Sequence, residues 1–93
     1  MVEIDVRPTP DGWTCGVAVD AAGEQTRHTV LVSRADAERW AAAADDDGVE
    51  DLVRRSFEFL LERERPSSIL GRFELAVIER YFPEYGAVIV RSR

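Results

Sequence analysis

A stripe of apolar residues in the middle of the chain predicts one amphipathic helix. Its members recur at spacings of three and four residues, which places them on one side of a helix: Val49, Leu52, Val53, Phe57, Leu60 and Leu61. A helix with one apolar face has to bury that face against another element. The chain therefore needs a packing partner for the stripe, and its first third offers one.

Three segments before residue 33 alternate apolar and polar residues, as strands do when one face is buried and the other is wet. Stretches rich in Pro, Asp and Gly separate them and can reverse the chain. We predict a three-stranded antiparallel meander over residues 1–32, with its strands near Val2–Arg7, Trp13–Val19 and Gln25–Val32.

The helical part of the chain is expected to cover residues 33–85. Ser33 is a suitable N-cap for a short alanine-rich helix, and Asp45–Gly48 interrupts the chain before the amphipathic helix. Pro66 ends that helix, because proline restricts the residue before it. A last helix through Glu74–Phe82 is predicted after Gly71.

The apolar run Ala87–Val90 is typical either of a fourth strand or of an apolar docking tail, since a run of four β-branched and small residues fits both. The expected fold is therefore α+β in one domain over residues 1–93. Two to four helices pack on one face of the meander, and residues 86–93 form an edge strand or a tail.

Charge and targeting signals narrow the partners and the location. Acidic residues outnumber basic ones by 18 to 12, for a net charge of -6, which disfavours the phosphate backbone of nucleic acids. The first ten residues lack the basic and then apolar pattern of a signal peptide, and no apolar run has the length of a membrane span. We expect a soluble, cytoplasmic protein without membrane contact.

Residues able to do chemistry are few and isolated. Asp45–Asp47 precede Gly48, but a calcium loop counted back from that glycine would place Ala43 at its first ligand position. His28 lies on an apolar strand face without a ligand partner at suitable spacing, and Cys15 alternates with core residues. We therefore expect no enzyme activity, no metal and no cofactor.

The stretch from Arg54 to Tyr85 reads RRSFEFLLERERPSSILGRFELAVIERYFPEY. It resembles the C-terminal signature of a small family of uncharacterised prokaryotic proteins, SILRRFDLSVIxRYFPEY. Gly71 and Glu74 depart from that signature, which has Arg and Asp there. The resemblance implies a meander followed by helices and no established activity, so it assigns no catalytic or binding residue.

Four aromatic residues form the candidate interaction surface: Phe59, Tyr81, Phe82 and Tyr85. One helix cannot bury all of them. They either cover the edge of the core, with the tyrosine hydroxyls in water, or form an exposed anchor for another chain. We interpret the protein as an interaction or regulatory module that docks a protein partner or itself, a homodimer being the simplest case. The alternative is a nucleic-acid-linked regulator, such as an antitoxin-like protein, in which a few arginines face the ligand.

Overall fold

Strands and helices combine in an α+β structure, seen in a computed structural model that describes residues 1–92. The strands are β1 (Val2–Thr9), β2 (Gly12–Ala21), β3 (Glu24–Ser33) and β4 (Arg72–Glu74). The helices are α1 (Arg34–Trp40), α2 (Asp46–Leu61), α3 (Val77–Tyr81) and α4 (Tyr85–Arg91), with a 3-10 turn at Pro66–Ser68.

The predicted meander is confirmed as three antiparallel strands in the order β1-β2-β3. The second hairpin turns at Ala22 and Gly23, whose φ angles of 54° and 76° are both in the left-handed region. A two-residue turn in which both φ angles are positive matches the right-handed twist of the flanking strands. Gly23 takes this conformation without steric cost, whereas Ala22 is strained by its Cβ.

One face of the sheet is buried, as the alternation predicts. The buried side chains that β2 and β3 contribute to it are Trp13, Cys15, Val17, Val19, His28, Val30 and Val32. The α2 stripe packs in the same core, where Leu52, Val53 and Phe57 are fully buried. Each such side chain contributes about 1.5–3 kcal/mol of transfer free energy, so this sheet–helix contact supplies much of the stability.

Both predicted helix starts are found, with a shift in the second. Ser33 Oγ accepts a hydrogen bond from the backbone N–H of Asp36 at 3.1 Å, as an N-cap does. The second helix begins at Asp46, earlier than expected, because Asp45 caps it by accepting from the Gly48 N–H at 2.8 Å. A Cβ at Gly48 would lie 1.9 Å from the Ala43 carbonyl oxygen, so this turn requires glycine.

Of the two alternatives for Ala87–Val90, the fourth strand is wrong, because these residues belong to α4. Tyr85 and Ile89, one helical turn apart, are both buried. The Arg55 guanidinium of α2 donates to the Ile89 carbonyl and to Ser92 Oγ. These contacts hold the last segment as a helix against α2.

The prediction of a helix from Glu74 is also wrong at its start. Residues Arg72–Glu74 form β4, which pairs in parallel with β3 and makes the sheet four-stranded and mixed. The Thr29 N–H donates to the Gly71 carbonyl at 2.8 Å, and the Leu75 N–H donates to the Leu31 carbonyl at 2.9 Å. Phe73 is thereby placed in the core, and only Val77–Tyr81 are left to form α3.

Candidate functional site

The structure divides the four candidate aromatic residues into a buried and an accessible pair. Phe59 and Tyr85 are 3% and 0% exposed, whereas Tyr81 is 66% exposed and Phe82 is half-buried. The Phe59 ring packs edge-on against both Phe82 and Tyr85, with centroids 5.7 and 5.4 Å apart. Phe59 and Tyr85 therefore hold the core together, and only Tyr81 and Phe82 can contact another molecule.

Both the ring and the hydroxyl group of Tyr85 have structural roles. The hydroxyl lies 2.6 Å from Ser56 Oγ, and Ser56 donates in turn to the Leu52 carbonyl at 2.7 Å. Trp40 packs edge-on against the ring at 5.1 Å. Burial raises the pKa of Tyr85 above its usual range, and the Ser56 hydrogen bond offsets only part of that effect. Since Tyr85 is 0% exposed, its hydroxyl is buried, in contrast to the wet hydroxyl expected of a tyrosine at the edge of the core.

The accessible pair lines an apolar groove of about 220 Å³. Its floor is formed by buried side chains from α2, the end of the 3-10 turn, β4 and α3, namely Leu60, the capping residue Ile69, Phe73 and Ile78. Its walls are Leu70, Val77, Tyr81 and Phe82. Leu70 and Tyr81 are 49% and 66% exposed, so two large apolar side chains face water in one concavity.

Polar contacts fix the wall that carries Leu70. The Leu70 carbonyl accepts from His28 Nδ1 at 2.8 Å, while His28 Nε2 is hydrogen-bonded to Thr26 Oγ1 at the same distance. At the start of the 3-10 turn, the Glu24 carboxylate accepts from the Ser67 N–H at 3.1 Å and from Arg65 at 2.7 Å. The backbone hydrogen bond from Ser67 is the main reason why the pKa of Glu24 is lowered. The groove is thus preformed, and His28 has a structural role in it.

Glu64 is the one acidic residue among those that line the groove. Its neighbours are paired elsewhere, Arg63 with Glu62 and Glu84 and Arg65 with Glu24. Within residues 1–92, no ion pair involves the Glu64 carboxylate. The groove therefore combines an apolar floor with one free negative charge at its rim.

The remaining candidates for chemistry do not form a site. Cys15 is fully buried, and burial is the main cause that raises the pKa of its thiol to about 12, which disfavours the nucleophilic thiolate. In the described part of the chain, no three or more His, Cys, Asp or Glu side chains are arranged to hold a metal ion. None of the helices in that part is both long and apolar enough to cross a membrane.

Comparisons of this chain with protein-family models, with curated proteins and with solved structures give no match. The resemblance of residues 54–85 to an uncharacterised prokaryotic family therefore stays a prediction. Function is accordingly inferred from the groove itself.

Sequence reasoning found Tyr81 and Phe82 but missed Leu70, Val77 and Glu64, which complete the groove. Leu70 stands between a 3-10 turn and a three-residue strand, so no helical or strand period marks it. Glu64 follows the end of α2 in a run of alternating charges, where it looks like any solvated residue. Only the tertiary contact between α2, β4 and α3 brings these residues together.

Proposed function

We propose that the protein is a small interaction module that binds a protein partner in the groove next to Tyr81. The observation that carries the proposal is the exposure of Leu70 and Tyr81 in one concavity with an apolar floor. Covering such side chains is favourable by about 25 cal/mol for each Å² removed from water. Aromatic residues in preformed pockets are also the residues that dominate protein interfaces.

The occupant that fits is a protein segment with one large apolar side chain flanked by Lys or Arg. A dry cavity of about 150 Å³ accommodates benzene, so a groove of about 220 Å³ can take an aromatic or leucine side chain. The unpaired Glu64 carboxylate at the rim and the net charge of -6 favour a basic flank. The groove thus selects a basic, amphipathic segment.

Selection from a displayed library of random peptides tests this proposal even though the partner is unidentified. We expect the selected peptides to share an apolar anchor next to Lys or Arg. The double variant Leu70→Ser/Tyr81→Ser should weaken their binding at least about tenfold, and Glu64→Lys should abolish the preference for basic residues. The matched control is Val90→Ser, which changes an exposed apolar residue of α4 outside the groove.

Peptides that bind the double variant as tightly as the original protein would show that the groove is not the docking site. Nucleic acid binding, the alternative function, is tested with random-sequence oligonucleotides over a range of salt concentrations. Tight binding that weakens steeply with salt would show that the arginines, and not the groove, are the functional part of the molecule.

A further inference from the structure

The outer face of the sheet is not covered by any described part of the chain. Its residues alternate with those of the core, and those at its centre are small or partly exposed: Thr14, Gly16, Ala18, Thr29 and Leu31. A Cβ placed on Gly16 would meet no atom of residues 1–92 within 4 Å. A second layer could therefore approach the middle of this face closely.

Charged residues lie at the two edges of the same face, in matched rows. Asp5 of β1 and Arg72 of β4 end one row, which runs through Gly16 and Thr29. The next row runs from Arg7 through Thr14 and Leu31 to Glu74. Each row thus has opposite charges at its two ends. Three strand spacings of about 4.8 Å separate those ends, so the two ends of a row cannot pair within one chain.

We propose that a second copy of this chain packs on the outer face, related by a two-fold axis parallel to the strands. Such an axis lays β1 of one copy over β4 of the other and β2 over β3. Asp5 then faces Arg72 of the second copy, and Arg7 faces Glu74 of the second copy. Gly16 faces Thr29 of the second copy, where the missing side chain makes room. The pattern is self-complementary, as a two-fold interface requires.

A third row on this face runs from Glu3 through Ala18 to Arg27. It decides between two possible directions of the two-fold axis. An axis perpendicular to the strands would also give pairs, Asp5 with Arg7 of the second copy and Arg72 with Glu74, but it leaves Glu3 and Arg27 unmatched. The axis parallel to the strands brings Arg27 of the second copy over Ala18, beside Glu3 in the same row. It therefore satisfies more of the charges on this face.

Within one chain, Asp5 and Arg7 pair with each other along β1, with Arg7 Nε 2.9 Å from the Asp5 carboxylate. Both side chains are largely exposed, and an ion pair in that setting contributes little stability. Exchanging this pair for two pairs across the dimer therefore costs little.

The size of the face sets the expected strength of the dimer. The four strands have 8, 10, 10 and 3 residues and together cover roughly 500 Å² on each copy. Stable interfaces bury about 800 Å² on each partner. We therefore expect a reversible dimer, populated at micromolar concentrations and weakened by salt because its pairs are at the rim.

Charge-reversal variants test the axis itself. In a dimer of the Asp5→Arg variant, two positive charges meet wherever position 5 faces Arg72 of the other copy. In a dimer of the Arg72→Asp variant, two negative charges meet wherever position 72 faces Asp5 of the other copy. Mixed in equal amounts, the two variants form a dimer in which every altered residue faces an opposite charge. Sedimentation equilibrium should show each variant associating at least about tenfold more weakly than the original protein, and the mixture recovering the original affinity.

Controls keep the result specific to this face. Glu38→Arg and Arg91→Asp make the same changes in net charge on α1 and α4, on the other side of the sheet, and should leave the dimer intact. So should Leu70→Ser, which separates this proposal from the groove. A monomer at about 1 mM protein in low salt would overturn the proposal. So would a mixture that associates no more tightly than either variant alone, or controls that weaken the dimer equally; thermal melts verify that each variant is folded.

Discussion

Tyr81 and Tyr85 stand four residues apart, and the molecule uses them in opposite ways. Tyr85 is completely buried, with its hydroxyl on Ser56, whereas Tyr81 is 66% exposed on the wall of the groove. In one continuous helix, residues four apart would share a face. Here α3 ends at Tyr81 and α4 begins at Tyr85, with Pro83 between them. A break in the helix therefore determines which tyrosine stabilises the fold and which is free to contact a partner.

The largest effect that this comparison predicts is the loss of stability in Tyr85→Ala. We expect the free energy of unfolding to fall by about 3–5 kcal/mol, since the change leaves a cavity beside Trp40 and Phe59. Urea unfolding followed by circular dichroism measures it. A loss below about 1 kcal/mol would mean that α4 is not packed as described, and that the two tyrosines do not differ in burial.

Alkaline pH tests the burial of Tyr85 in a second way. The variant Tyr81→Phe isolates the Tyr85 phenol, because the chain has two tyrosines. Burial raises the pKa of Tyr85, and it raises the pKa of Cys15 from 9.0 to about 12. Both groups keep their protons more tightly when folded. The stabilisation is therefore complete below the pKa of the unfolded chain and is lost as the pH rises above it.

For Cys15 the stabilisation is lost between pH 9 and about pH 12. While the pH rises through its range, each group lowers the free energy of unfolding by up to about 1.4 kcal/mol per pH unit. In Tyr81→Phe, phenolate absorbance should appear only together with the loss of the circular dichroism signal. Phenolate formation in a chain that is still folded, near the usual pKa of tyrosine, would contradict the burial of Tyr85.

The sequence predicted those parts of the fold that depend on local patterns. The meander follows from strict alternation in β1 to β3, and α2 follows from a stripe that extends over several turns. The C-terminal third was predicted less well. The strand β4 has three residues and pairs with a strand about forty residues earlier, so no local period reveals it. The run Ala87–Val90 lacks a clear period until Tyr85 is counted in the same helix.

The candidate site was predicted in part for a similar reason. Aromatic residues around a proline indicated a surface, and two of them, Tyr81 and Phe82, do line the groove. Composition could not separate them from Phe59 and Tyr85, because burial depends on where the chain turns. The wall residue Leu70 is held by a hydrogen bond from His28 across 42 positions of the sequence. A contact of that range leaves no mark in the local pattern.

The substitution Tyr81→Ala has the smallest expected effect on stability, and it tests the difference between Tyr81 and Tyr85 most directly. Because most of its side chain faces water, we expect the free energy of unfolding to change by less than about 0.5 kcal/mol. Binding of the selected peptides should nevertheless weaken at least about tenfold, since the ring forms a wall of the groove. Chemical unfolding and fluorescence anisotropy measure the two quantities on the same sample. If stability falls as much as in Tyr85→Ala, Tyr81 belongs to the core. If stability and binding are both unchanged, the groove next to Tyr81 is not where the partner docks.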